Sequence, residues 1–129
     1  MAQNIVAEVL AHCVYAVGSG ARMKIERAAL IALRDHVEDP AGSAKGLRHE
    51  LTRPKDPLNP RDPEPGEDRW KIHAGFVLEC CEATGRLAAA TAVARGSRVI
   101  RVEDLKKAYK IVSAENSGPV PGIFCPDFP

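Results

Sequence analysis

The sequence predicts an all-α domain of four main helices with a Pro-rich middle insertion. Apolar residues make up 45% of the 129 but aromatics only 5%, so a core has to be assembled from Ala, Val, Leu and Ile. Alanine-rich stretches mixed with Leu, Glu, Arg and Lys favour helix over strand. Apolar residues recur at steps of three and four, most clearly within the stretch from Glu67 to Glu115. The length fits a single domain, 1–129. It divides into an N-terminal helical pair (3–38), the insertion (40–66), a long helix, basic loop and short helix (67–116), and an extended tail (117–129).

The first helix is expected from about Gln3 to Val17. Val6, Leu10, Cys13 and Val17 form its apolar stripe, Ile5 and Val9 widen it, and Gly18-Ser19-Gly20 ends it. A second runs from about Ile25 to Glu38, with Ala29, Leu33 and Val37 on one face and Asp39-Pro40 as the stop. Six of the ten prolines fall between Pro40 and Gly66. Ala44 to Thr52 can still form a short helix on Leu47 and Leu51, whereas Arg53 to Gly66 is read as an exposed, extended loop.

The long helix is expected to open on Glu67 and Asp68, acids suited to a helix N-terminus, and to close at Gly96. Its residues Val77, Cys80, Thr84, Leu87 and Thr91 form a seam of mostly small side chains that a partner helix can approach closely. Gly85 in its middle costs about 1 kcal/mol relative to Ala unless tight packing offsets it. Arg98 to Arg101 form a brief extended element. The last helix starts at Glu103-Asp104, buries Leu105, Ala108, Tyr109 and Val112, and ends at Asn116-Ser117-Gly118-Pro119. The tail's Ile123, Phe124 and Phe128 are expected to pack along a surface. No internal sequence repeat is visible.

The net charge of +1 restricts any nucleic-acid contact to a local patch. Cys13, Cys80, Cys81 and Cys125 show no metal-ligand spacing and read as buried free thiols of a reducing compartment. His12, His36, His49 and His73 form no ligand pair, so no metal is expected. Glu79, Glu82 and Arg86 read as an exposed ion-pair row, not catalytic carboxylates. No enzyme activity and no cofactor are expected. The apolar run from Ile5 to Val17 is too short to span a bilayer and the start lacks a basic signal segment, which implies a soluble, cytoplasmic protein with no membrane partner.

Gly96-Ser97-Arg98-Val99-Ile100-Arg101-Val102-Glu103-Asp104-Leu105, after a long helix, resembles the second half of a histone fold. Ala21-Arg22-Met23-Lys24-Ile25, between two helices, is similar to a histone first loop. The resemblance implies loops lying side by side, with Arg22, Lys24 and Arg27 in one and Arg95, Arg98 and Arg101 in the other facing DNA phosphates. It also implies pairing of chains through the long-helix seam. Two departures from the pattern stand out. The insertion interrupts what is one central helix in histones, and Ser97 occupies the place of the arginine that clamps the last helix's aspartate. A displaced Arg98 is the expected partner of Asp104.

The same stretch also resembles the C-terminal helical lid of AAA+ ATPases, and Gly42-Ser43-Ala44-Lys45-Gly46-Leu47-Arg48 looks like the lid motif that senses nucleotide. That resemblance implies Arg48 as the sensor, acting with an ATPase partner, since the chain has no G-x-x-x-x-G-K-[ST] phosphate loop. The sequence therefore supports a non-enzymatic, histone-fold-like module that forms a homo- or hetero-oligomer and contacts DNA. An AAA+-lid-like accessory and a structural subunit of a larger assembly are the alternatives.

Overall fold

The computed structural model describes residues 2–40, 46–115 and 128. Among them the chain is all-α, with one short parallel bridge: α1 (Ala2–Ala21), β1 (Lys24–Ile25), α2 (Arg27–Glu38), α3 (Gly46–Thr52), α4 (Glu67–Ala94), β2 (Val99–Ile100) and α5 (Val102–Glu115). The four main helices and the short α3 are those the apolar periodicity predicts. The residues 41–45 and most of the tail, with Ile123, Phe124 and Cys125, lie outside the described residues.

α1 is longer than expected, running through Gly18-Ser19-Gly20 to Ala21. The reason is packing. A Cβ on Gly20 would stand 2.1 Å from the Glu82 carbonyl oxygen of α4, and one on Gly85 would stand 2.1 Å from the Val17 carbonyl oxygen of α1. Both glycines let the two long helices meet backbone to backbone, which offsets their low helix propensity. Val6, Val9 and Val17 of α1 are buried with Val77, Ala88 and Ala92 of α4, and Leu105, Ala108 and Tyr109 of α5 complete the same core.

In the bridge, Lys24 is opposite Val99 and Ile25 opposite Ile100. The Glu26 amide extends it by donating to the Ile100 carbonyl oxygen at 2.9 Å. A long helix, a two-residue strand and a shorter helix thus occur twice, as α1–β1–α2 and α4–β2–α5. In the bridge's own register Ala29 corresponds to Asp104, Leu33 to Ala108 and Val37 to Val112, and all six are buried. The architecture repeats where the sequence does not.

The insertion is exposed over most of its length, as expected, but it is anchored near both ends. Pro54 to Arg61 are exposed, but Asp62 and Gly66 are buried. The cause is Arg69 of α4, whose side chain is fully buried. Its guanidinium donates to the carbonyl oxygens of Glu50 (3.0 Å), Arg53 (2.6 Å) and Pro63 (2.7 Å), tying both ends of the segment to α4. The Gly66 amide donates to the Leu51 carbonyl oxygen at 2.8 Å. Phe128 is buried, stacked on His36 with ring centroids 4.5 Å apart and edge-on to Tyr109 at 5.6 Å.

Candidate nucleic-acid interface

Two helix ends build the site. α4 closes with a Schellman pattern: the Gly96 amide donates to the Val93 carbonyl oxygen at 2.9 Å, and the Ser97 amide to that of Ala92 at 2.9 Å. Gly96 takes the left-handed conformation this requires, at φ +79°. α1 closes in a related way, but with an arginine. Arg22 sits at φ +55°, and its amide donates to the Gly18 carbonyl oxygen at 3.1 Å. Each chain reversal leads directly into a bridge strand, so the two basic loops lie side by side at one end of the α1–α4 pair.

The arginines of this end fall into two groups. Arg95 is held inward: its guanidinium reaches the Asp104 carboxylate at 2.5 and 3.3 Å, and Asp104 also accepts the Arg101 amide at 2.9 Å. Asp104 thereby caps the first turn of α5 while its own buried charge is matched. The Arg95 hydrogen bond is the chief cause holding its carboxyl below the ordinary carboxylate range, against the opposing effect of burial. The expected clamp, Arg98, is therefore replaced by Arg95, which belongs to the end of α4 and precedes the Gly96 reversal. Arg101 faces Glu26 of the other loop at 3.4 Å, both side chains being well solvated.

Arg22, Lys24, Arg27 and Arg98 are exposed and, among the described residues, have no ion-pair partner. Arg22 and Arg98 line a groove of about 530 Å³ together with Met23, Ala90 and Val93. Ser97 lines it too, its hydroxyl donating to the Val99 carbonyl oxygen at 2.7 Å and accepting the Val99 amide at 3.1 Å. These bonds hold the Arg98 segment in one shape. The site offers positive charge beside apolar side chains.

The other expected sites are placed differently. Val77, Cys80 and Thr84 of the seam are buried within the single chain, and Leu87 and Thr91 are half-buried. Arg48 donates to Glu38 from Nε at 2.8 Å and from a terminal guanidinium nitrogen as well. With Glu38 and Arg34 it lines a groove against α1. Burial pushes the Cys80 thiol up to about 11, and a hydrogen bond with the Cys13 thiol, together with burial, holds Cys81 well above its ordinary value. Such thiols are weak nucleophiles.

A part-buried polar cluster at the insertion escaped the sequence reading. Glu50 accepts from His73 Nε2 at 2.9 Å and from Arg53 at 3.0 Å, and Arg53 donates to Asp62 at 2.9 and 3.1 Å. Burial opposes the Glu50 charge, but hydrogen bonds from His73 and Arg53 outweigh it and bring the carboxyl down to about 2. Nothing in the local sequence marks these residues as partners, because they come from three separate segments. Among the described residues no group of three or more His, Cys, Asp or Glu is placed to hold a metal ion, and no helix is long and apolar enough to cross a membrane. No protein-family model matches the chain, and no curated protein or solved structure is significantly similar to it.

Proposed function

We propose that the chain is a non-enzymatic, histone-fold-like module that holds the backbone of duplex nucleic acid against its paired basic loops. The observation that supports this reading is the β1–β2 bridge, which sets the Arg22–Arg27 loop beside the loop that carries Arg98, with Arg22 and Arg98 lining one groove. The bland alternative is a solvated rim, in which such charges are neutralised by neighbouring carboxylates. Arg95 and Arg101 fit that description, with Asp104 and Glu26 beside them; the other four do not. Phosphate contact by clustered Lys and Arg is sequence-independent and salt-sensitive.

In this reading the pairing of loops is intramolecular. One copy of the chain presents a complete surface, and the seam of α4 serves the chain's own core. Association with further copies or with a larger assembly then uses other faces. The AAA+-lid alternative has less support, since both guanidinium contacts of Arg48 go to Glu38. The test is a salt series of binding to a labelled duplex. Four phosphate contacts give a slope of log K on log salt of about −3.6. Replacing Lys24, Arg27 and Arg98 together by alanine is expected to flatten most of that slope, whereas a slope unchanged by the replacement rejects the loop surface.

A further inference from the structure

The long-helix seam that the histone resemblance links to pairing of chains lies within the core of one chain, while the outer face of α4 is turned to solvent. Ile72, Phe76, Glu79, Ala83, Arg86, Ala90 and Val93 follow one another at alternating steps of four and three, so they share one face of the helix. The buried Val77, Cys81, Thr84 and Ala88 fall on the opposite face, where α1 and α5 pack. The outer stripe is open. Ile72 is 63% and Val93 64% exposed; Glu79, Arg86 and Ala90 are exposed, and Phe76 and Ala83 half-buried. A groove of about 270 Å³ at its middle is lined by Phe76, Glu79, Ala83 and Arg86 among others. The ion-pair row expected of Glu79, Glu82 and Arg86 does not form, and among the described residues neither Glu79 nor Arg86 has an ion-pair partner.

This face is complementary to itself. Along the helix it reads apolar, acidic, small, basic, apolar, so the charge changes sign about Ala83. When two copies lie antiparallel with Ala83 near a two-fold axis, Glu79 of each copy meets Arg86 of the other. The larger Ile72 and Phe76 then meet the smaller Val93 and Ala90, and Ala83 lets the helices approach. A parallel pair would instead set Glu79 on Glu79 and Arg86 on Arg86. We infer that the outer face of α4 docks a second copy of this chain, antiparallel about Ala83, through reciprocal Glu79–Arg86 contacts. The inference goes beyond the proposed function and does not depend on it. Because the basic loop after α4 lies at its C-terminal end, this pairing sets the two loop surfaces at opposite ends of the joint. Ala90 and Val93 also line the loop groove, so pairing covers part of its apolar lining.

The experiment is sedimentation equilibrium of the full chain without nucleic acid, so its result is separate from duplex binding. The wild-type chain is expected to form a reversible dimer with a Kd of about 1–100 µM, in keeping with an interface of one helix face. Arg86→Glu and Glu79→Arg should each weaken it at least about tenfold, since either change creates two like-charge contacts across the axis. The double variant reverses both pairs and should dimerise within about threefold of wild type. Ile72→Asp tests the apolar part of the face and should weaken the dimer as well, with far-UV circular dichroism unchanged because the position is exposed. A wild-type chain that stays monomeric at about 1 mM overturns the inference. So does a dimer indifferent to both Arg86→Glu and Ile72→Asp. A double variant no tighter than either single one removes the Glu79–Arg86 contact and the antiparallel arrangement with it.

Discussion

At Asp104 a carboxylate only 1% exposed is held by Arg95 and by the Arg101 amide, and so serves as both ion-pair partner and helix cap. Glu50 is a second paired carboxylate, part-buried and facing His73 and Arg53. Its ordinary value of 4.5 falls to about 2 in the fold, because those hydrogen bonds outweigh burial. A depressed carboxyl stabilises the fold above its unfolded value and loses that contribution as pH falls through its folded value. Stability is therefore expected to decline from about pH 4.5 towards about pH 2. Asp62 and Asp104 add to the same limb, since both are also held low. Thermal melts across this range check it: Glu50→Gln should melt lower than wild type at neutral pH and show a shallower acid decline. An acid limb as steep as wild type in Glu50→Gln rejects the assignment. The buried thiols give a further check, as Cys13, Cys80 and Cys81 should resist alkylation at pH about 8 until denaturant opens the core.

Between α1 and α4 the backbones touch at Gly20 and Gly85, leaving no room for a methyl group. Gly85→Ala is expected to cost about 1–3 kcal/mol, because the added Cβ meets the rigid Val17 carbonyl and not a flexible side chain; urea unfolding measures it. The expectation that tight packing justifies Gly85 was legible, since the surrounding small residues repeat at helical spacing. Gly20 was not: beside Gly18 and Ser19 it reads as a stop, and only the partner helix makes it a contact. Arg69 was equally hidden, because its acceptors are backbone carbonyls that carry no sequence signature. Arg69→Met should leave those carbonyls without a donor, lose about 3 kcal/mol, and let a protease cut within 53–66 before the rest of the chain unfolds. Cleavage of the variant at the wild-type rate contradicts that role.

Over the whole molecule, helix, strand and helix occur twice and meet at one bridge. The helix periods and the loop after α4 were readable from local pattern. The pairing of the loops within one chain was not, because a two-residue strand has too few residues to display alternation. The clamp on Asp104 moved from Arg98 to Arg95 for a similar reason, as chain reversal at Gly96 decides which arginine faces α5. Leu87, half-buried against the core, tests the internal pairing. Leu87→Glu should lower stability by about 1–3 kcal/mol without changing the mass measured by light scattering. A change of oligomeric mass would instead make the α4 seam an interface between chains.

The most direct measurement is binding of the full chain to a labelled duplex of about 30 base pairs at about 50 mM and about 200 mM salt, with mass read on the same samples. The account expects binding at low salt that weakens by about two orders of magnitude at the higher salt, and loses most of that dependence when Lys24, Arg27 and Arg98 become alanine. Absence of binding at low salt, or binding indifferent to salt and to those residues, would contradict it.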